Sequence, residues 1–341
     1  QAGYSNTTGT ANVAIGAGAL YDNSTGTRIT AVGREALTNN TTGNYNTGLG
    51  YQAMLTNTTG ANNVSVGYES LNSNTTASNN TAVGYQAGYS ITTGQFNVAL
   101  GSLSLDAITT GDNNTALGQH AAGKTTTASD NTAVGRAAMY DNTTGANNVA
   151  VGKDALYFNT TASNNTAVGF QAAYSNTTGT SFTAIGTQSL YSNNGNYGVA
   201  VGWTAAYSNT TGQPVAVGTG ALYSQTIGNA NTAVGHNTLA ATTTGDSNTG
   251  CGRNALTANT TGNYNTAVGT ACLSTTTTGS YNIGLGRNAL ATSATASNQC
   301  TLGDDQINNL RCNDQSISAL SDSRDKTDVI DSPYGLDFIN T

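Results

Sequence analysis

The chain is poor in charge. Of its 341 residues, 8% are Asp, Glu, Lys or Arg, against about 25% in an ordinary globular protein. Seventeen acids and ten bases give a net charge of −7, and no basic face gathers of the kind nucleic acid requires, so no nucleic-acid partner is expected. No apolar run approaches the ~20 residues of a membrane span, and no membrane insertion is expected. There are two prolines, one tryptophan and two histidines. His120 and His236 are isolated, and no Cys-x-x-Cys pair occurs, so neither a metal nor a cofactor is expected. Acids are too sparse over residues 1–303, nine in all, to pair as a glycosidase site.

What the chain does have is a repeat. Residues 131–147 read N-T-A-V-G-R-A-A-M-Y-D-N-T-T-G-A-N, and variants of this unit run from the first residue to Gly303. A marker glycine recurs eighteen times, at Gly16, Gly33, Gly50 and onward through Gly135 and Gly152 to Gly303. Fifteen of the seventeen spacings are 17 residues, and the two beside Gly202 are 16. A short period held this strictly predicts a solenoid with one coil per repeat.

The unit predicts β structure. The residue before each marker glycine is apolar, the residue three before it is Thr, Val, Ile or Cys, and the one between is small. That alternation of β-branched residues is a strand signal, and a strand so short needs stacked neighbours. The larger residues of the tripeptide are expected to point inward as an apolar ladder. On that expectation Cys251 and Cys300 point inward, and they and Cys272 serve as small buried hydrophobes. A bridge from Cys300 to Cys312 is the one pairing the order suggests. Behind the glycine comes a small residue and then Leu, Met or Ala, a second short strand or an inward corner. The closing Asn-Thr-Thr-Gly supplies the turn, since Asn and Gly tolerate left-handed backbone. A helical repeat fails because Gly, Asn and Thr are poor helix formers. With about 4.8 Å per coil, eighteen coils make a rod of roughly 85 Å. Asn and Thr are expected to replace charge as the surface polar groups.

Taken in order, residues 1–303 form the repeat shaft, 304–320 terminal strands and a link, and 321–341 a segment of different composition. Gln1–Gly9 matches the second half of a coil, so the sequence is expected to be a piece of something longer. The short coils lose a residue each near Ser192–Gly198 and Thr211–Pro214, with Pro214 placed at a turn. Residues 304–341 hold eight acids and three bases, most of the net negative charge.

Two resemblances meet on these residues. The Asn-Thr-Ala-Val-Gly ladder resembles the head repeats of trimeric autotransporter adhesins, which form a parallel β-roll from three chains. Ser321-Asp322-Ser323-Arg324-Asp325-Lys326, followed by Gly335-Leu336-Asp337-Phe338-Ile339, resembles the opening of the intramolecular chaperone domain that ends phage tail fibres and tailspikes. In that family the domain drives trimerisation and then cuts itself off. The resemblance implies Ser321 as nucleophile, Lys326 as its base and Leu320–Ser321 as the scissile bond. A serine needs such a base, and lysine serves when desolvated.

The fold expected is therefore all-β, a parallel β-solenoid of about eighteen 17-residue coils, assembled as a homotrimer. The function expected is a structural phage tail fibre, located in the virion, that binds a host-surface glycan or protein receptor. It is no enzyme beyond a single self-cleavage. The alternative is an extracellular or cell-surface adhesive fibril, glycosylated at Asn-x-Thr/Ser sequons such as Asn6, Asn40, Asn142 and Asn159. Tyr51, Tyr68, Tyr85 and Trp203 are candidates for stacking on sugars; the same rings can instead stack on one another from coil to coil.

Overall fold

A computed structural model describes residues 1–307. Each coil starts on the tripeptide before its marker glycine. Thr132–Val134 forms β8 and Val149–Val151 forms β9, paired in parallel and in register, with Thr132 opposite Val149 and Ala133 opposite Ala150. The same pairing joins eighteen strands, from β1 (Val13–Ile15) to β18 (Cys300–Leu302), into one sheet. This is the parallel β-solenoid the period predicts, and no helix occurs among the described residues. Residues 1–304 make one compact unit. Of the terminal strands expected over 304–312, residues 304–307 form none, and the rest lie outside the described residues.

The chain turns at the marker glycine. Gly135 has φ 128°, and a Cβ there would lie 2.7 Å from the carbonyl carbon of Gly152 in the next coil. No second strand follows. Ala137 and Met139 instead adopt left-handed backbone, with φ 53° and 57°. Such a conformation costs an L-residue about 1–2 kcal/mol. Two gains offset it: Met139 is fully buried, and the corner bonds to its neighbour. Met139 N–H donates to Ala155 O at 2.8 Å, Asp141 N–H to Tyr157 O at 2.9 Å and Thr143 N–H to Thr160 O at 2.8 Å. Hydrogen bonding between coils thus continues well beyond the three-residue strands.

The interior is inverted relative to the sequence expectation. It is the small middle residue of each tripeptide that points in: Ala31, Ala82, Ala133 and Ala184 are fully buried. The coil is thin, and the small residue faces the side chain that follows the preceding corner, leucine for Ala31 and Ala82 and alanine for Ala133 and Ala184. At Gly48 a Cβ would sit 3.1 Å from Leu37 Cδ1. An alanine fits that gap; a valine and a leucine together would overfill it. The larger flanking residues therefore point out. Cys251 and Cys300 are exposed, correcting their inward placement, while Cys272 is buried and its thiol pKa raised by that burial.

Asparagine is the second correction. The residue ahead of the strand is a buried asparagine in most coils, including Asn46, Asn80, Asn131, Asn148 and Asn265. Asn131 Oδ1 accepts the backbone N–H of Asn148 at 2.9 Å, and Asn131 Nδ2 donates to Gly145 O at 2.9 Å and to Asn114 Oδ1 at 3.2 Å. A second buried row opens the Asn-Thr-Thr-Gly turn. There Asn57 Nδ2 donates to Asn40 Oδ1 at 2.7 Å, and Asn40 Nδ2 to Asn23 Oδ1 at 2.9 Å. Buried amides are tolerated chiefly when bonded, and in these runs neighbouring copies bond each other; where the run stops, as at Ile91 after Asn74, the last Oδ1 is left without a partner. The first turn threonine joins in through its hydroxyl, as Thr143 Oγ1 donates to Thr160 O at 2.9 Å.

The two short coils keep register, with Thr183 opposite Val199 and Val199 opposite Val215, so each deletion is absorbed before the strand. Pro214 is not at the turn. It takes the buried position just ahead of β13 (Val215–Val217), where most coils have asparagine. The preceding coil has Gly198 there, which offers no side-chain acceptor, and proline has no N–H to satisfy.

Candidate binding surface

The outward strand face is a continuous apolar strip. Its residues just before the marker glycine include Ile15, Leu49, Leu100, Ile185, Val268 and Leu302, all between 40 and 60% exposed. Beside them runs a row of threonine and valine, with Val13, Val149, Val215 and Ile283 also exposed. Soluble monomers rarely leave a contiguous apolar patch of more than a few hundred Å². Eighteen three-residue strands at about 4.8 Å spacing give the whole outward face roughly 800 Å², the size of one partner's share in a standard protein interface; the row before the glycine is its apolar half, and the other row is threonine in ten of the eighteen coils.

Aromatic side chains form columns at fixed positions of the coil. Five positions after the marker glycine, Tyr140, Tyr157, Tyr174, Tyr191, Tyr207 and Tyr223 stack face to face, with centroids 4.9 to 5.4 Å apart. Burial in that column pushes the phenol pKa values of Tyr157, Tyr174, Tyr191 and Tyr207 up. One position after the glycine, Tyr51 stacks on Tyr68 at 5.0 Å and Tyr68 on Tyr85 at 5.4 Å. Those three sugar-stacking candidates thus have faces covered by one another, with the Arg34 guanidinium 5.8 Å from the Tyr51 ring. Trp203 differs: it is 59% exposed and stands over a groove.

That groove was not foreseen. It encloses about 640 Å³ and is lined by Trp203, Tyr207, Tyr223, His236 and Asn237 among others. One replacement opens it: Ala240 succeeds Tyr223 in the tyrosine column. Gly220 makes room for the Asn237 side chain, whose Oδ1 a Cβ there would meet. The signal was present in the sequence as an unbroken tyrosine column that stops at Ala240.

Asp106 occupies a column position between Tyr89 and Gly123. Burial raises its carboxyl pKa, opposed by a backbone hydrogen bond and by the field of His120. With the folded pKa above the unfolded value, its contribution to stability is full below the unfolded pKa and lost as pH rises through the folded one. Asp106→Asn removes the charge at constant shape. It is expected to give a small rise in thermal midpoint at neutral pH that fades toward about pH 3, as melting curves across that range would show.

The remaining candidates divide by location. Asn40, Asn142 and Asn159 are fully buried. Asn142 Nδ2 donates to Gly145 O at 3.0 Å and Asn159 Nδ2 to Asn142 Oδ1 at 2.8 Å, so a glycan on these amides would require leaving the folded coil. Asn6, in the first coil, is exposed. Ser321, Lys326, the Leu320–Ser321 bond and Cys312 lie outside the described residues. Among the described residues no cluster of His, Cys, Asp or Glu is placed to hold a metal ion, and no helix is long and apolar enough to cross a membrane.

Comparison with known proteins adds no family. No protein-family model matches the chain, and no curated protein matches it.

Proposed function

We propose that the chain is the shaft of a self-assembling fibre that recognises a host surface, in the manner of a phage tail fibre on the virion. The observation that carries this reading is the outward apolar strip. A thin coil that buries alanine and asparagine and displays valine and leucine is suited to packing against copies of itself. The aromatic columns and the groove supply contact surface for a glycan or protein on the host. A stoichiometry of three is carried over from the resemblance to trimeric fibres. Self-cleavage at Leu320–Ser321 by Ser321 and Lys326 rests on resemblance alone, and the mass of the denatured chain tests it. A cell-surface fibril would use the same coil, but the buried asparagines weigh against dense N-glycosylation as its signature.

The test places lysine on the strip. Leu49→Lys, Leu100→Lys and Ile185→Lys together put charges where the monomer is already solvent-exposed. The coil should keep its β spectrum, while self-association falls by at least tenfold and adherence of the assembled protein to host cells falls with it. Unchanged association and adherence would count against the strip as the assembly face.

A further inference from the structure

We propose that the groove beside Tyr223 binds an uncharged hexopyranose ring, the sugar completing the tyrosine column where Ala240 leaves a rung empty. This deepens the host-surface reading and rests on it. Tyr207 and Tyr223 stack with centroids 5.2 Å apart and planes 9° from parallel. The next coil offers only a methyl group at that position, so the ring of Tyr223, 42% exposed, has an uncovered face. A void of about 640 Å³ adjoins it, within the roughly 300–1,000 Å³ of small-ligand clefts.

The chemistry of the lining selects the ligand. The face of an aromatic ring is the negative part of its quadrupole, and the C–H groups on one side of a pyranose present the complementary positive edge. Tyr223 and Trp203 provide two such rings. Around them stand the amides of Gln188 and Asn237 and the hydroxyls of Thr219 and Ser224, neutral donors and acceptors matched to sugar hydroxyls. The lining contains no Lys, Arg, Asp or Glu and a single histidine, His236, so a phosphorylated or otherwise multiply charged ligand would be desolvated with at most one imidazole to face it. Gly220, at φ 64°, keeps the floor open to the Asn237 side chain.

Trp203 is the chain's single tryptophan, so its fluorescence reports on this groove alone. The assembled protein is titrated with the methyl glycosides of glucose, galactose, mannose and N-acetylglucosamine. At least one is expected to give a saturable change in Trp203 emission. Tyr223→Ala should weaken that response tenfold or more. Ala240→Tyr should abolish it by filling the rung from within, with the melting temperature held or raised because the column is extended. No response to any of the four sugars, or a response that survives both substitutions, overturns the proposal. Adherence to host cells without a Trp203 response removes the groove and leaves the fibre reading standing. A sugar response without adherence does the reverse.

Discussion

Gly50→Ala is expected to destabilise the stack by about 4 kcal/mol or more, while Gly48→Ala two residues earlier changes stability by less than about 1 kcal/mol. Gly50 has φ 140°, and a Cβ there would lie 2.7 Å from the carbonyl carbon of Gly67 and closer still to its oxygen. The obstacle is backbone of the next coil, which cannot rotate away. Left-handed strain alone costs about 1–3 kcal/mol, and the collision adds to it. Gly48 sits where other coils carry a buried alanine, and its nearest neighbour is the flexible end of Leu37 at 3.1 Å. Its methyl group would press on Leu37, which can turn aside by the few tenths of an ångström needed. In a solenoid each coil contacts only its neighbours, so the damage from Gly50→Ala should concentrate there. Hydrogen exchange should show lost protection in the coils of Gly50 and Gly67 and little change near Gly252. Equal effects of the two substitutions would contradict the assigned corner geometry.

Asn131→Ala is expected to cost about 3 kcal/mol. It strands the buried N–H of Asn148, and removes one of the two donors to Gly145 O together with the amide contacts to Asn114 and Asn148; Asn142 still donates to Gly145 O. Each unsatisfied buried group costs about 1–3 kcal/mol. Asn131→Asp separates the two halves of the amide. It keeps an acceptor for Asn148 N–H but sets a carboxylate against Gly145 O and buries a charge. It should be worse than alanine at neutral pH and recover as pH falls, because the protonated acid can donate again. Thermal melts of both variants at neutral and acid pH make the comparison. An asparagine row that merely decorated the surface would show neither the cost nor the pH dependence.

The coil, its period and its strand were legible in the sequence, because the marker glycine and the tripeptide before it recur with almost no error. The direction of the side chains was not. Reading Val134 as inward and Asn131 as outward applies the habit of ordinary domains, in which large apolar groups fill the core and amides face water. A one-chain coil of 17 residues is too thin for that arrangement. Alanine at residue 82 leaves room for Leu71 across the core, and the valine that follows it, at residue 83, turns to the half-exposed outer side. Asparagine can go inside only because an identical asparagine stands one coil away to bond it. The strict recurrence of Asn at 114, 131, 148 and 165 was the available sign. The tyrosine columns were half-legible: mutual stacking was one of the two readings, and it holds for Tyr51, Tyr68 and Tyr85. The groove at Tyr223 depends on what is missing at Ala240, which a search for conspicuous residues passes over.

We infer that a coil with its apolar residues outward is completed by other copies of itself. The most direct measurement is the native mass of the purified chain in solution, set against its denatured mass of 34.3 kDa. The expected result is a discrete assembly, of three chains by the resemblance to trimeric fibres, that falls apart in the Leu49→Lys, Leu100→Lys, Ile185→Lys variant. A stable, soluble monomer at micromolar concentration would contradict it, leaving the outward strip as ordinary solvent-facing strand surface.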